Sequence, residues 1–215
     1  IGGRRGVGDI ADLGFVMPNE GGSVMFDVRD GDCLVVVDVQ NDFCPGGALG
    51  VAGGDQVVPV LNTWIEEFHE KGLPVVYTQD WHPKDHMSFV ENGGIWPPHC
   101  VQDTEGADFH PDLIVRGEVC RKGFEKDKEA YSGFDGRVGQ LDGPALDAWL
   151  KQRGVQRIFV GGIATDYCVK ATVLDGIRYC FEVVVLKDAV RAVNVNPDDG
   201  EKALAEMEEA GAVIK

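Results

Sequence analysis

The 215-residue sequence has no apolar run that approaches the length of a membrane span, so no transmembrane helix is expected. Basic residues are scarce: 20 Lys and Arg stand against 36 Asp and Glu, a net charge of −16. That balance argues against a nucleic-acid backbone or an anionic membrane surface as a partner, and it leaves a neutral small molecule open. The six cysteines include no CxxC pair, which removes a structural zinc knot, and a chain with ample apolar strands has no need of a disulfide framework. The opening residues lack the apolar core of a secretory signal, and the expected location is the cytoplasm. Neither an internal repeat nor a low-complexity segment is present.

What is present alternates. Residues 1–30 are glycine-rich and weakly patterned, with one alternating stretch, "SVMFDV", that reads as an edge strand on an N-terminal extension. From residue 31 to 215 the pattern is that of a single domain. "CLVVVDV" (33–39) is a continuous β-branched run, as expected of a strand buried on both faces. Val57, Leu61, Trp64, Ile65 and Phe68 recur at helical spacing until Gly72. Further strands are expected over 73–80, near Val119, over 157–162, over 181–188 and at the terminal "AVIK". Helices are expected over 144–153, after Thr165, and over 197–210. Six strands interleaved with helices imply a mostly parallel sheet covered on both faces.

In such sheets, ligands bind at the carboxyl ends of the strands. Asp38 ends the first strand, Asp80 ends the second, Lys122 follows the third, and Cys168 comes just after the fourth. In "GGIATDYCVKATVLDG" (161–176), Thr165 or Asp166 reads as a helix cap. That places Cys168 in a first turn, where free N–H groups and the helix dipole favour a thiolate. The same reasoning ranks Cys168 as the most easily alkylated of the six cysteines. Asp38 breaks an apolar run, and a carboxylate there is costly unless it is paired. With Lys122 the three supply a nucleophile, a proton acceptor and an orienting cation.

Histidine is also scarce, with only five in the chain, yet His82, His86 and His99 fall close together in "QDWHPKDHMSF" and "WPPHC". Asp80 and His82, two apart, point to one side of an extended chain. One carboxylate with two or three imidazoles suits zinc, iron or manganese.

Together, "VVVDVQNDFCPGGALGVAGGD", "TQDWHPKDHMSF", "WPPHCVQDTEGADFHP", "RKGFEKDKEAYSGF" and "GGIATDYCVKATVLDG" resemble the nicotinamidase/pyrazinamidase group of the isochorismatase-like cysteine hydrolases. The resemblance runs from about residue 33 to the end. It implies a three-layer α/β/α fold with a six-stranded, mostly parallel sheet. It also implies hydrolysis of nicotinamide, and of the similarly shaped pyrazinamide, through a Cys thioester, within NAD salvage. Its catalytic triad falls on Asp38, Lys122 and Cys168, and its oxyanion donors on the N–H groups of Ala164 and Cys168, with a cis peptide before Ala164. Its metal ligands fall on Asp80, His82 and His99, with His86 a ligand in only some members. Zinc is the first expectation, iron and manganese the alternatives. Phe43, Trp96 and Tyr131 would clamp the substrate ring. Self-association is left open. Two rivals remain: another amidase of the superfamily, with no use for Asp80, His82 and His99, and a silent binding module.

Overall fold

The computed structural model describes residues 28–215, so most of the "SVMFDV" stretch lies outside the described residues. Seven strands form one sheet: β1 (Asp32–Val37), β2 (Val75–Asp80), β3 (Glu118–Lys122), β4 (Arg137–Val138), β5 (Arg157–Ile163), β6 (Glu182–Arg191) and β7 (Val213–Ile214). Their order is β4-β3-β2-β1-β5-β6-β7, and every neighbouring pair is parallel except β3 with β4. The sequence pattern implies six strands; the seventh is β4. Two residues cannot display a period-two alternation, and β4 is held by its antiparallel pairing of Cys120 with Val138.

The run of β-branched residues in β1 is explained by two cores. Leu34 and Val36 face one layer, where α1 (Val57–Glu70) supplies Leu61, Ile65 and Phe68. Cys33, Val35 and Val37 face the other layer. There α2 (Leu146–Gln152), α3 (Lys170–Arg178) and α4 (Asp199–Glu209) contribute Leu150, Val173 and Met207. Alternating side chains of a strand point to opposite faces, so a strand covered twice is apolar throughout. The chain is therefore a three-layer α/β/α fold. Among the described residues, no helix is long and apolar enough to cross a membrane.

Two local features shape the sheet's carboxyl edge. β1 stops because Asp38 adopts φ 48°, a left-handed conformation that Asp tolerates better than most residues. Gly162 in β5 has φ 129°, and a Cβ there would lie 2.0 Å from the Val37 carbonyl oxygen, so only glycine lets β5 approach β1 this closely.

Candidate active site

The strands β3, β2, β1 and β5 are consecutive neighbours, so their carboxyl ends bring Lys122, Asp80, Asp38 and Cys168 side by side. Lys122 ends β3 rather than following it, and it is fully buried. Its ammonium lies 2.9 Å from Asp38 Oδ2 and 2.5 Å from Asp80 Oδ1, donates to the Ala130 carbonyl at 3.2 Å, and reaches Cys168 Sγ at 3.5 Å. One ligand atom each from Asp38, Asp80 and Cys168 lie within 4.8 Å of one another. The Lys122 ammonium serves as the cation of that group.

Burial opposes the charge of Lys122, but Asp38 and Asp80 outweigh it and hold its pKa well above the ordinary value. Asp80, despite its own burial, is kept below the usual carboxylate range by Lys122, His82 and His99. Asp38 is shifted the other way: burial raises it, and Lys122 and Thr78 only partly offset this. The Thr78 hydroxyl donates to Asp38 Oδ1 at 2.6 Å, while Oδ2 is left to the Lys122 ammonium at 2.9 Å. Asp38 Oδ2 faces Lys122 as an ion pair and keeps its acceptor capacity. A carboxylate of raised pKa with a free lone pair near a thiol is suited to take a proton from it.

The environment of Cys168 differs from the sequence expectation. Thr165–Val169 form a single π-type turn ahead of α3, and neither Thr165 nor Asp166 caps it. Instead, the Asp166 carboxylate accepts the N–H groups of Val193 and Asn194, each at 2.9 Å, and so ties the turn to the loop after β6. Cys168 is buried; burial first, then Asp38 and Asp80, raise its pKa well above the ordinary thiol value against the pull of Lys122. The thiol therefore keeps its proton until a base removes it, contrary to the thiolate that a helix start alone would favour. All six cysteines are free, and Cys180 is the exposed one. Brief iodoacetamide treatment is expected to label Cys180 first with activity retained, and Cys168 more slowly with activity lost in proportion. Peptide mapping that finds Cys168 modified ahead of Cys180 would show that a thiolate is already formed.

Asp80, His82 and His99 also form a cluster, with donor atoms all within 4.8 Å of one another. His82 Nδ1 donates to the Gly123 carbonyl at 2.8 Å, and His99 Nδ1 donates to the Pro97 carbonyl at 2.8 Å. These carbonyls can only accept, which fixes both tautomers and leaves each Nε2 as the lone-pair nitrogen. A histidine whose other nitrogen is tied to a carbonyl is the usual arrangement behind a metal ligand, so the donor set fits a metal ion. Gly123 permits the approach: with φ 66°, its added Cβ would lie 2.4 Å from the His82 ring. His86 is not brought into this set. Its Nδ1 meets Ser88 Oγ at 2.7 Å, its Nε2 meets the Lys128 carbonyl at 3.0 Å, and its ring stands 4.2 Å from that of His82.

A cavity opens beside both clusters. Its walls include Cys168, Ala164, Asp80 and His99, together with Phe43, Trp96 and Tyr131. The Trp96 Nε1–H donates to the Tyr131 hydroxyl at 3.0 Å. The peptide between Ile163 and Ala164 is cis. Tyr167, absent from the sequence-derived set, packs edge-on against Trp96 with centroids 5.2 Å apart and also lines the cavity. Its signal was adjacency to the nucleophile. Thr78 and Gln40 were missed too, since their contacts cross between strands about forty residues apart.

Comparison with known proteins bears on the family and the fold. The isochorismatase domain family matches residues 32–215. The nicotinamidase of Escherichia coli is 40% identical over 198 residues, covering 84% of this chain and 92% of its own. The pyrazinamidase of Pyrococcus horikoshii, solved in complex with zinc, superposes with a TM-score of 0.79 at 48% identity, over 86% of this chain and 98% of its own. An L. infantum structure in complex with nicotinate gives a TM-score of 0.76 at 37% identity, over 86% and 92%.

Proposed function

The chain belongs to the isochorismatase family, and on that premise we propose that it hydrolyses nicotinamide to nicotinate and ammonia through a thioester on Cys168. The observation that carries this reading is the buried Lys122 ammonium, which holds Asp38 beside Cys168, and Cys168 forms part of the wall of an aromatic cavity.

Asp38 Oδ2 takes the Cys168 proton as Sγ attacks the amide carbon. Lys122 holds the carboxylate in place and balances the charge that develops. The N–H groups of Ala164 and Cys168 receive the oxyanion, a contribution of about 3 kcal/mol per donor in other enzymes. As the C–N bond breaks, Asp38 returns its proton to the leaving nitrogen and ammonia departs. Asp38 then accepts a proton from water, whose oxygen attacks the thioester. Collapse expels the Cys168 thiolate and forms the carboxylic acid, and the Asp38 proton restores the thiol. Phe43, Trp96, Tyr131 and Tyr167 hold the ring so that its amide meets Sγ. The same pocket accepts pyrazinamide, and the reaction belongs to NAD salvage.

A metal ion, zinc by preference, would be held by Asp80, His82 and His99, and it supplies a Lewis acid that can anchor the pyridine nitrogen directly or through water. His86 stays outside the ligand set and backs the His82 ring. The aromatic walls cannot recognise a ring nitrogen, and a site built for a polar atom discriminates against an analogue that lacks it. Benzamide is that analogue. Ammonia release should be seen with nicotinamide, and the kcat/KM preference for nicotinamide over benzamide should collapse after chelation. Circular dichroism first establishes that the stripped protein remains folded. No ammonia from nicotinamide would overturn the activity. An unchanged preference with both rates reduced together would overturn the anchor and leave the ion to the chemistry or the fold.

A further inference from the structure

The β1–β2 ladder ends abruptly at the place where the site begins. Val37 pairs with Thr78, and the Asp38 N–H donates to the Thr78 carbonyl at 3.2 Å. In a continued parallel ladder, the next rung would join the Asp38 carbonyl and the Gln40 N–H to the backbone of Asp80. Because Asp38 turns left-handed, those two groups bond to each other instead, with the Gln40 N–H donating to the Asp38 carbonyl at 2.9 Å. The Asp80 peptide groups would then face the interior unpaired. The Gln40 side chain fills the gap: its Oε1 accepts the Asp80 N–H at 2.8 Å, and its Nε2 donates to the Asp80 carbonyl at 2.9 Å. A second Nε2 hydrogen bond, to the Ala107 carbonyl at 2.9 Å, fixes the amide plane, and the residue is fully buried.

Asp80 needs such a hold because its two oxygens have different partners. Oδ1 meets the Lys122 ammonium, and Oδ2 faces His82 Nε2 at 3.6 Å. We infer that Gln40 is a positioning residue for the metal centre: its side-chain amide replaces the strand backbone that Asp38 withdraws, and so fixes the Asp80 carboxylate between Lys122 and the two histidines. This rests on the reading of Asp80, His82 and His99 as metal ligands. The chain needs the left-handed turn at Asp38 to present the base, and Gln40 repairs the sheet edge that the turn breaks.

The test is zinc affinity, measured by competition with a chromophoric chelator, alongside thermal unfolding of the metal-free proteins. Gln40→Met keeps length and removes all three hydrogen bonds. Gln40→Asn is shorter, leaves a polar site that water can fill, and so guards against misfolding. Gln79→Met is the control, because Gln79 Nε2 also donates to the Ala107 carbonyl, at 2.9 Å, and is not bonded to the Asp80 peptide. Outer-shell partners of metal ligands are worth about ten- to a hundredfold in affinity. Both Gln40 variants should lose that much, and Gln79→Met less than about threefold, whatever their unfolding temperatures. Zinc affinity within threefold of wild type in either Gln40 variant, or an equal loss in Gln79→Met, would overturn the assignment and leave Gln40 a residue of the fold alone. Wild-type protein that binds no zinc would overturn the metal reading itself, a result the wild-type arm shows before any variant is compared.

Discussion

Cys168→Ala should lose about four to six orders of magnitude in turnover, the scale on which removal of a nucleophile acts in a covalent hydrolase. Nicotinamide should still bind. The ring is held by Phe43, Trp96, Tyr131 and Tyr167, and the substitution leaves those walls in place. The loss should therefore fall on kcat, with the dissociation constant from calorimetry close to wild type. No acyl-enzyme should be trapped on the variant when the reaction is quenched in acid and the intact mass is measured, whereas the wild type should gain the mass of the acyl group. The raised pKa of Cys168 sharpens the case: the thiol is a poor nucleophile until Asp38 takes its proton, so turnover requires both groups. Ammonia release from Cys168→Ala within a hundredfold of wild type would mean that water is activated directly at the site, and the thioester route would be abandoned.

The convergence of Asp38, Asp80, Lys122 and Cys168 was legible because it follows from the placement of polar residues at strand ends, and alternation of strands and helices fixes which ends share an edge. The two-faced burial of β1 was legible for a similar reason, since Leu34 and Val36 on one side and Val35 and Val37 on the other leave no room for a polar position. The turn at Thr165–Val169 was not. Val169, Thr172, Val173 and Ile177 have the same spacing whether the preceding turn is α or π, and an aspartate ahead of an apolar helix looks like a cap. Asp166 is occupied elsewhere because the loop at Val193 and Asn194 presents two N–H groups to it, a fact of tertiary structure alone. His86 misled in another way. Its spacing from His82 suits a shared ion, but Ser88 and the Lys128 carbonyl engage its nitrogens, and Lys128 lies 42 residues away. Although both lie on the same edge, the direct pairing of Asp80 with Lys122 was hidden. Sequence reasoning assigned Asp80 to a metal and Lys122 to the triad, and only the β2–β3 register, with Asp80 opposite Lys122, joins them.

That link makes Lys122 the residue whose loss should be felt most widely. Lys122→Met keeps the bulk of the side chain and removes its charge, leaving Asp38 and Asp80 as neighbouring buried carboxylates with no cation between them. Removing one partner of a buried ion pair costs about 3–5 kcal/mol, because the remaining charge is uncompensated. Turnover should fall with it, since nothing then holds Asp38 ionised beside Cys168. Asp38→Asn should behave differently. Lys122 retains Asp80, and Thr78 can still donate to the Asn oxygen, so the metal-free protein should stay close to wild-type stability while turnover drops by about two to four orders of magnitude. The pH dependence separates the two cases further. In the wild type, Asp80 sits below its unfolded value, so its contribution is present at neutral pH and is lost as pH falls through the folded value. Burial keeps His86 and His99 below the ordinary imidazole range, so their protonation favours the unfolded chain. Asp80 raises His82 and burial raises Asp38, so protonation of those two favours the folded chain. Without Lys122, Asp38 rises further and Asp80 loses the cation that holds it down, so protonation relieves the repulsion of the two carboxylates. Relative to metal-free wild type, Lys122→Met should therefore gain thermal stability as the pH is lowered from about 7 to about 5. An unfolding temperature for Lys122→Met equal to wild type at pH 7, with the same slope toward pH 5, would show that the two carboxylates do not depend on Lys122 for their charge.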